Sequence, residues 1–554
     1  MSNNLSPRRP DGARPASDSD GMTRRNLLRT AGLVGAGTGI ASLLAACGVA
    51  SKTSSSSSGS ASGGTLTLAI DGTSAINDPC YYDTIGDWQA VDCICRGLTF
   101  ISFETNTVQP DLAESWDISA DGTTYTFKLR QGVKFHDGTT LTSADVVASL
   151  NRQFDANDPT LPTGAVRQLD AMNAKVSAVD DYTVRLVIPK PDGTTLGQLS
   201  DIGGRIISSA ALKKYGKNIG KHLVGTGPFK FVSATSGQSV VMEAFDGYRL
   251  GRPPIDKLVL QQVEDPSTII SSLISGDISA TQFTPYSAAK QLKASGVTVY
   301  DTPYGFDAIM MLDARKPALA ELEVRQAINY AIDRETIVKE AFYGYGAVPD
   351  GYAIPPAQPC HDKSLADLST YDPEKARKLL ASAGATGRTV HVIAESGGWH
   401  PAALQIVQQN LTDVGFKVVT QTVEAAAYFG RLLDPADEYH ELMIWERNSY
   451  VPDPDDMVGA MADPSGLYGG PATGLSTLKG SDQFTSQIYQ AKNLPNGTAR
   501  TQLYSKIQRA WAEEYMVMVM LAYSTNLVAG VSGAHGINVD ALANDRCYME
   551  KASV

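Results

Sequence analysis

Short strand patterns and capped helix patterns follow one another along the chain from residue 65 onward. Leu66, Leu68 and Ile70 alternate with Thr or Ala, which is typical of a strand. Asp265 and Asp372 each precede a proline, and an Asp-Pro pair is typical of a helix start. A chain of 554 residues is also too long to form one hydrophobic core, because single cores stop growing at about 250–300 residues. These features predict an α/β protein with at least two cores.

The N-terminal region has a composition of its own. Residues 1–21 are polar and rich in Ser, Pro and Asp, which is typical of disorder. Arg24 and Arg25 then precede a weakly apolar stretch that ends at Ala46. A paired arginine before such a stretch indicates a twin-arginine export signal, which we place at residues 1–46.

Cys47 follows Leu44-Ala45-Ala46, and this run resembles the lipobox of bacterial lipoproteins, whose cysteine thiol carries diacylglycerol. Residues 47–63 are rich in Ser and Gly, which predicts a flexible tether of about 20 Å. The alternative is an ordinary signal anchor with a chance cysteine. The tether favours a lipoprotein, anchored by acyl chains at the outer face of the cytoplasmic membrane. No later stretch has about 20 uninterrupted apolar residues, so we expect no other span.

Composition and motifs argue against several classes of protein. The formal charge is −12 and no basic run occurs, which argues against nucleic acid as a partner. Neither a Gly-x-Ser-x-Gly elbow nor a His-Glu-x-x-His motif occurs, and the seven His are scattered. We therefore expect no enzyme and no cofactor, although abundant carboxylates leave an acid–base pair conceivable.

Five cysteines remain beyond Cys47, an odd number, so at least one stays free or pairs between molecules. The compartment outside the membrane permits disulfides, but the sequence leaves the pairing open. A zinc site is the rival interpretation, yet Cys93 and Cys95 lack the usual two-residue spacer. We therefore expect no metal. The five are Cys80, Cys93, Cys95, Cys360 and Cys547.

From about residue 64 to the end, the chain resembles the family 5 extracellular solute-binding proteins, which serve the peptide, dipeptide, oligopeptide and nickel class of ABC importers. The resemblance covers roughly nine-tenths of the mature chain. It rests on blocks at 109–116, 121–130, 132–138, 144–147, 225–229, 275–278, 323–334, 371–376 and 452–455.

The resemblance implies a two-lobed periplasmic-binding-protein-like fold, type II, of the large class with an inserted subdomain in the first lobe. Two segments, near 303–308 and near 505, would cross between the lobes. Carried onto this chain, the main domain of lobe I would comprise 64–98, 223–306 and 506–554, its inserted subdomain 99–222, and lobe II 307–505.

The resemblance also implies a mechanism, in which the lobes close about a hinge around a solute in the cleft. Peptide is the expected solute, and an oligosaccharide or a metal chelate is the alternative. The partners would be ABC permease subunits in the membrane, with ATP hydrolysis on a separate subunit. We expect the protein to be a monomer.

The cleft is expected to depart from the family pattern at one position. Peptide-binding relatives carry a cleft Trp followed three residues later by an Asp that pairs with the peptide ammonium. Trp445 matches that Trp, but Asn448 stands at the Asp position. Either a neighbour such as Glu446 substitutes, or the solute has no free ammonium there. The expected ligand-binding residues are Tyr81, Tyr82, Trp399, Trp445, Arg447, Asn448 and Tyr450.

Cys47→Ser should release the protein from membranes, because no thiol would remain to carry lipid. Membrane fractionation and mass spectrometry of the N-terminal peptide measure this, and a membrane-bound variant with an unlipidated wild type would contradict the lipobox.

As a second test, Arg24→Lys combined with Arg25→Lys should block export by the twin-arginine route.

Overall fold

The computed structural model describes residues 63–554 except 82, 103–104, 433–440, 450, 465, 467, 471 and 538–545. The expectations for the export signal, the tether and Cys47 therefore lie outside the described residues. Those for Tyr82 and Tyr450 do so as well.

Strands and helices are interspersed along the described chain. Its strands are β1 (Thr65–Ile70), β2 (Arg96–Gly97), β3 (Thr99–Ile101), β4 (Val108–Pro110), β5 (Ala113–Ile118), β6 (Thr124–Leu129), β7 (Lys175–Asp180), β8 (Thr183–Val187), β9 (Arg205–Ile206), β10 (Phe229–Thr235), β11 (Ser239–Ala244), β12 (Lys257–Gln262), β13 (Ala280–Thr281), β14 (Thr298–Leu312), β15 (Gly346–Ala347), β16 (Thr389–Glu395), β17 (Lys417–Val423), β18 (Leu442–Arg447) and β19 (Met518–Gly530). Its α-helices are α1 (Ile85–Ile94), α2 (Ser143–Phe154), α3 (Thr195–Leu199), α4 (Ser209–Tyr215), α5 (Pro266–Ser275), α6 (Ala289–Ala294), α7 (Leu322–Ala331), α8 (Arg334–Thr336), α9 (Pro373–Ser382), α10 (His400–Val414), α11 (Ala425–Leu432), α12 (Pro454–Ala462), α13 (Ser481–Asn493) and α14 (Thr498–Ala510).

The local start and stop signals act as the sequence predicts. The Asp265 side chain accepts a hydrogen bond from the Thr268 amide, and Pro266 occupies the first turn of α5. Gly276 ends α5 with a φ of 83°, a left-handed conformation that favours glycine. Asp372 caps α9 in the same way, by accepting from the Lys375 amide.

One large mixed sheet runs through the described residues, with eleven strands. Its order is β10-β11-β12-β1-β13-β19-β14-β18-β16-β17, and β15 pairs with β19. A separate four-stranded sheet, in the order β5-β6-β8-β7, lies within the part of the chain predicted to be an insertion. All of its neighbouring strands are antiparallel.

The buried side chains form separate cores, as the chain length requires. The largest extends from Ala308 to Tyr523. A second joins β1 and α1 to β10–β12 and the C-terminal residues, and a third, from Leu98 to Ile206, lies almost entirely in the insertion. The predicted boundary at 505/506 falls inside α14, and the fully buried Trp511 belongs to the largest core.

Strands β14 and β19 connect these cores. They pair antiparallel from Thr298 opposite Gly530 to Met311 opposite Met518. Ala529 packs in a small core beside β1, whereas Met518 packs in the largest core. The register of the pair shifts between Pro303 and Asp307, inside the first predicted crossing.

Several arginine–aspartate pairs are buried between elements that are far apart in sequence. On α14, Arg500 donates to both carboxylate oxygens of Asp453 at 2.8 and 2.9 Å, and its side chain is 1% exposed. Arg152 makes an equivalent bidentate contact with Asp78. Removing one partner of such a pair is costly, because the other charge is left buried and unpaired.

Arg500→Met should therefore lower the free energy of unfolding by about 3–5 kcal/mol, measured by urea unfolding. Arg509→Met on the same helix is the matched control, because Arg509 pairs with Glu513 at a surface where both side chains are at least 40% exposed. We expect that control to cost less than about 1 kcal/mol. Equal losses in the two variants would contradict the argument.

Candidate functional site

A cavity of about 650 Å³ lies where the three main cores approach one another. That volume is within the range of roughly 300–1,000 Å³ that is typical of small-molecule pockets. Its lining comes from two distant parts of the chain, which we call the first and second walls. The first wall comprises Trp88, Gln168, Leu169, Thr194, Gln198 and Asp201, and the second Arg447, Val451, Asp455, Asp456, Gly459, Ala460, Asp463, Gly466, Ile488, Tyr489 and Lys492.

The first wall is built by α1 and by the turns around α3. Trp88 lies on α1, whose N-cap Thr84 accepts a hydrogen bond from the Asp87 amide. Gln198, near the end of α3, donates to the hydroxyl of the N-cap residue Thr194 at 2.6 Å, which fixes both side chains along this short helix. Asp201 accepts from the Ile202 amide at 2.9 Å. Burial raises the pKa of Asp201 to about 6, against the opposing effect of Arg546.

The second wall begins at the end of β18 and continues into α12. Asp453 caps α12 by accepting from the Asp455 amide, and Pro454 occupies the first turn. Arg447, the last residue of β18, donates to the backbone oxygen of Asp456 at 3.2 Å and approaches its carboxylate at 3.4 Å. The start of α12 thus brings two carboxylates to the cavity beside a guanidinium.

Lys492 links the two walls. Its ammonium lies 3.1 Å from the Asp455 carboxylate on the second wall and 3.3 Å from Asp192, which precedes α3 next to the first wall. Burial raises the pKa of Asp455 to about 6, although Lys492 acts in the opposite direction. The cavity therefore offers both cationic and anionic groups, including two carboxyl groups that titrate near pH 6.

Side chains on the two faces of β18 lie in different surroundings, because successive side chains of a strand point to opposite faces. Arg447 and Trp445 share one face, and Trp445 is buried against Tyr468 with ring centroids 4.6 Å apart. Glu446 lies on the other face, where it accepts a hydrogen bond from the Trp399 indole at 2.8 Å. Burial raises the pKa of Glu446, and the bond from Trp399 opposes that shift. Trp399 lines a separate cavity of about 440 Å³.

Asp307 is buried next to the second wall. It is the register partner of Arg447 across the β14–β18 pair, so the two side chains lie on the same face of the sheet. Burial raises the pKa of Asp307 well above its usual range, against the opposing effect of Arg447. Within the described part of the chain, one oxygen of its carboxylate has no hydrogen-bond partner.

Among the residues expected from sequence to bind ligand, Arg447 is the one that lines the 650 Å³ cavity in the described chain. Asn448 is half-buried, and its backbone oxygen accepts from the Arg447 guanidinium. Tyr81 is half-buried, and its amide donates to the Asp78 backbone oxygen. Trp399 lines the other cavity.

Sequence reasoning missed Trp88, Asp201 and Lys492 as lining residues. None of these three residues lies in one of the family blocks, so no sequence signal pointed to them. Across the described ranges, no group of three or more His, Cys, Asp and Glu side chains is placed to hold a metal ion. Nor does any described helix combine the length and the apolar character needed to cross a membrane.

Comparisons with known proteins agree with this architecture. The helix-and-strand framework is similar to that of the periplasmic binding protein DppA from Helicobacter pylori in complex with the peptide STSA. The TM-score is 0.73 at 25% identity, over 89% of this chain and 98% of that one. The fold is thus that of the two-lobed periplasmic binding proteins, with mixed α/β content and a large mixed sheet.

Sequence relatives bind different solutes. A glutathione-binding protein from Pectobacterium atrosepticum is 34% identical over 319 residues, which cover 57% of this chain and 60% of the relative's own length. Heme-binding protein A from Haemophilus influenzae is 29% identical over 428 residues, covering 72% of this chain and 76% of that protein.

The model of the bacterial extracellular solute-binding proteins, family 5, matches residues 107–469, a span that contains most of the insertion, all of β14 and the second wall from Arg447 to Gly466. Members of this family are transport binding proteins and not enzymes. The chain belongs to the family 5 bacterial extracellular solute-binding proteins.

Proposed function

We propose that the protein captures a short peptide in the 650 Å³ cavity and delivers it to the permease of an ABC importer. The observation that carries the proposal is the charge distribution of the cavity. Arg447 and Lys492 line it together with Asp201, Asp455 and Asp456. A peptide with free termini presents one ammonium and one carboxylate, and each needs an opposite charge when it is desolvated. Glutathione-binding and peptide-bound relatives support the same class of solute.

The alternative is the same transport role for a non-peptide solute, either an oligosaccharide or a metal chelate. The heme-binding relative favours it, because heme is a metal chelate. Trp88 and Tyr489 also line the cavity and would stack on a flat ring or a sugar face.

The proposed lobes follow the cores. Lobe I comprises 64–98 and 223–306 with the insertion 99–222, and lobe II begins at 307. The burial of Trp511 in the largest core supports extending lobe II beyond 505 into β19. Strands β14 and β19 would then be the two crossings, and closure about them would trap the solute. We further propose a monomer, lipid-anchored at Cys47 on the outer face of the cytoplasmic membrane.

Asn448 carries no charge, so a carboxylate from another residue must pair with the ammonium of a bound peptide. Glu446 is held by Trp399 on the opposite face of β18. Asp201 lines the cavity, and the nearest cationic side chain, Arg546, lies 3.9 Å from its carboxylate. This is farther than the 3.1 Å between the Asp455 carboxylate and Lys492. We therefore assign the ammonium-binding role to Asp201.

Isothermal titration calorimetry tests the solute. Unblocked di- to pentapeptides should bind, and N-acetylation should weaken binding at least about tenfold, since an unpaired buried carboxylate would remain.

Asn448→Asp should strengthen binding of free-amine peptides, while Trp445→Ala should weaken binding because Tyr468 loses its packing partner. Equal affinity for blocked and free peptides would reject the ammonium assignment. Tight binding of an oligosaccharide or a metal chelate alone would favour the alternative.

Binding of a free-amine peptide should also weaken as the pH falls from 7 to 5. Below about pH 6 Asp201 is protonated in the free protein and must ionise to pair with the ammonium, so the dissociation constant should rise by up to about tenfold per pH unit. The raised pKa of Asp201 by itself adds stability to the free protein as the pH falls through 6 towards the unfolded value.

The variant Asp201→Asn should bind a free-amine peptide weakly at pH 7, and its dissociation constant should change less with pH than that of the wild type. Asp246→Asn, which changes a carboxylate that is 88% exposed, is the control and should retain the wild-type profile. An unchanged profile in Asp201→Asn would exclude Asp201 as the titrating group.

A further inference from the structure

Two cysteines meet in the core beside β1. The sulfur of Cys93, on α1, lies 3.5 Å from the sulfur of Cys547 and 3.1 Å from the backbone oxygen of Cys547. Both residues are completely buried. We propose that Cys93 and Cys547 form a disulfide in the exported protein, which would tie the C-terminal segment, residues 546–554, to α1. The inference rests on the proposed function for its compartment, because disulfides persist outside the cytoplasm.

The geometry requires little movement. A disulfide bond is about 2.05 Å long, so the two sulfurs must approach by roughly 1.5 Å, which rotation about the Cα–Cβ bonds can supply. The backbone of the C-terminal segment is already held against α1, because the Cys547 amide donates to the Asp92 carboxylate at 3.4 Å.

The remaining cysteines have other surroundings. The Cys80 sulfur accepts from the Gln153 amide at 3.3 Å, and Cys360 contacts the Thr501 hydroxyl at 3.6 Å. Cys95 is buried in the same core as Cys93, and among the described residues its sulfur is in no disulfide. One disulfide therefore leaves three thiols, in keeping with the odd count beyond Cys47.

The chemistry needs an external oxidant. Each thiol loses its hydrogen, one sulfur–sulfur bond forms, and two electrons and two protons pass to the disulfide of an extracytoplasmic thiol–disulfide oxidoreductase, which becomes a dithiol. Exchange proceeds through a thiolate. Burial raises the pKa of the Cys93 thiol in the folded protein, so the exchange requires residues 546–554 to open transiently from α1.

The link would stabilise one wall of the cavity. Residues of the C-terminal segment hold the buried charges beneath α1, since the Tyr548 hydroxyl accepts from Arg205 at 2.9 Å. Arg205 in turn pairs with Asp92 of α1 at 2.6 Å. The same helix carries Trp88 on the first wall.

Peptide mapping without reduction tests the disulfide. Full-length protein exported by its own signal, and protein refolded from guanidinium in a glutathione redox buffer, are labelled with N-ethylmaleimide in denaturant and digested. In both, the peptides of Cys93 and Cys547 should be joined, and Cys80, Cys95 and Cys360 should carry the label. Labelling of Cys93 and Cys547 in the exported protein, or a different joined pair, would overturn the proposal. A joined pair in protein that binds no peptide supports the disulfide and rejects only the peptide assignment.

Stability gives a second readout. Cys93→Ser and Cys547→Ser should each lower the Tm by roughly 5 °C or more, and the double variant should lose little beyond either single one, because each change already removes the whole link. Cys95→Ser is the control, since it disturbs the same core without removing a bond, and its loss should add to that of Cys547→Ser. A double-variant loss near the sum of the Cys93→Ser and Cys547→Ser losses would indicate packing alone.

Discussion

Strands β14 and β19 pair antiparallel along most of their length, and each passes from one hydrophobic core into another. The backbone hydrogen bonds of this pair hold the register between the two halves of the molecule. The shift between Pro303 and Asp307 interrupts the ladder at one place, and an irregularity of that kind lets a strand pair bend or twist locally. The proposed solute cavity depends on this connection, because its walls belong to different cores.

The walls meet through charged groups that are largely removed from water. Lys492 contacts carboxylates from both sides, and Arg447 holds the carboxylate end of α12. Desolvation is costly for each of these charges, and the cost is offset only while their partners stay in place. A solute with its own charges can join or replace such contacts. Relatives with this fold are named as binding glutathione, heme or peptide, so the fold alone does not fix the solute.

Much of the fold could be predicted from the sequence because its signals are local. Asp265, Pro266 and Gly276 bound α5 through contacts within a few residues, and the alternation in Thr65–Ile70 places Leu66, Leu68 and Ile70 together on one face of a strand. The cavity could be predicted only in part. Arg447 was found through its place after Trp445, whereas Asp201 and Lys492 lie in parts of the sequence without a family block.

The sequence by itself determined the family, the α/β class, the helix boundaries that depend on caps, and the expectation of several cores. Tertiary structure decided which side chains share the cavity, which face of β18 serves it, and that Cys93 lies beside Cys547. The physical reason is the range of the interactions. Caps and alternation act over a few residues, whereas the cavity and the cysteine pair join residues that are hundreds of positions apart and meet only when the cores have formed.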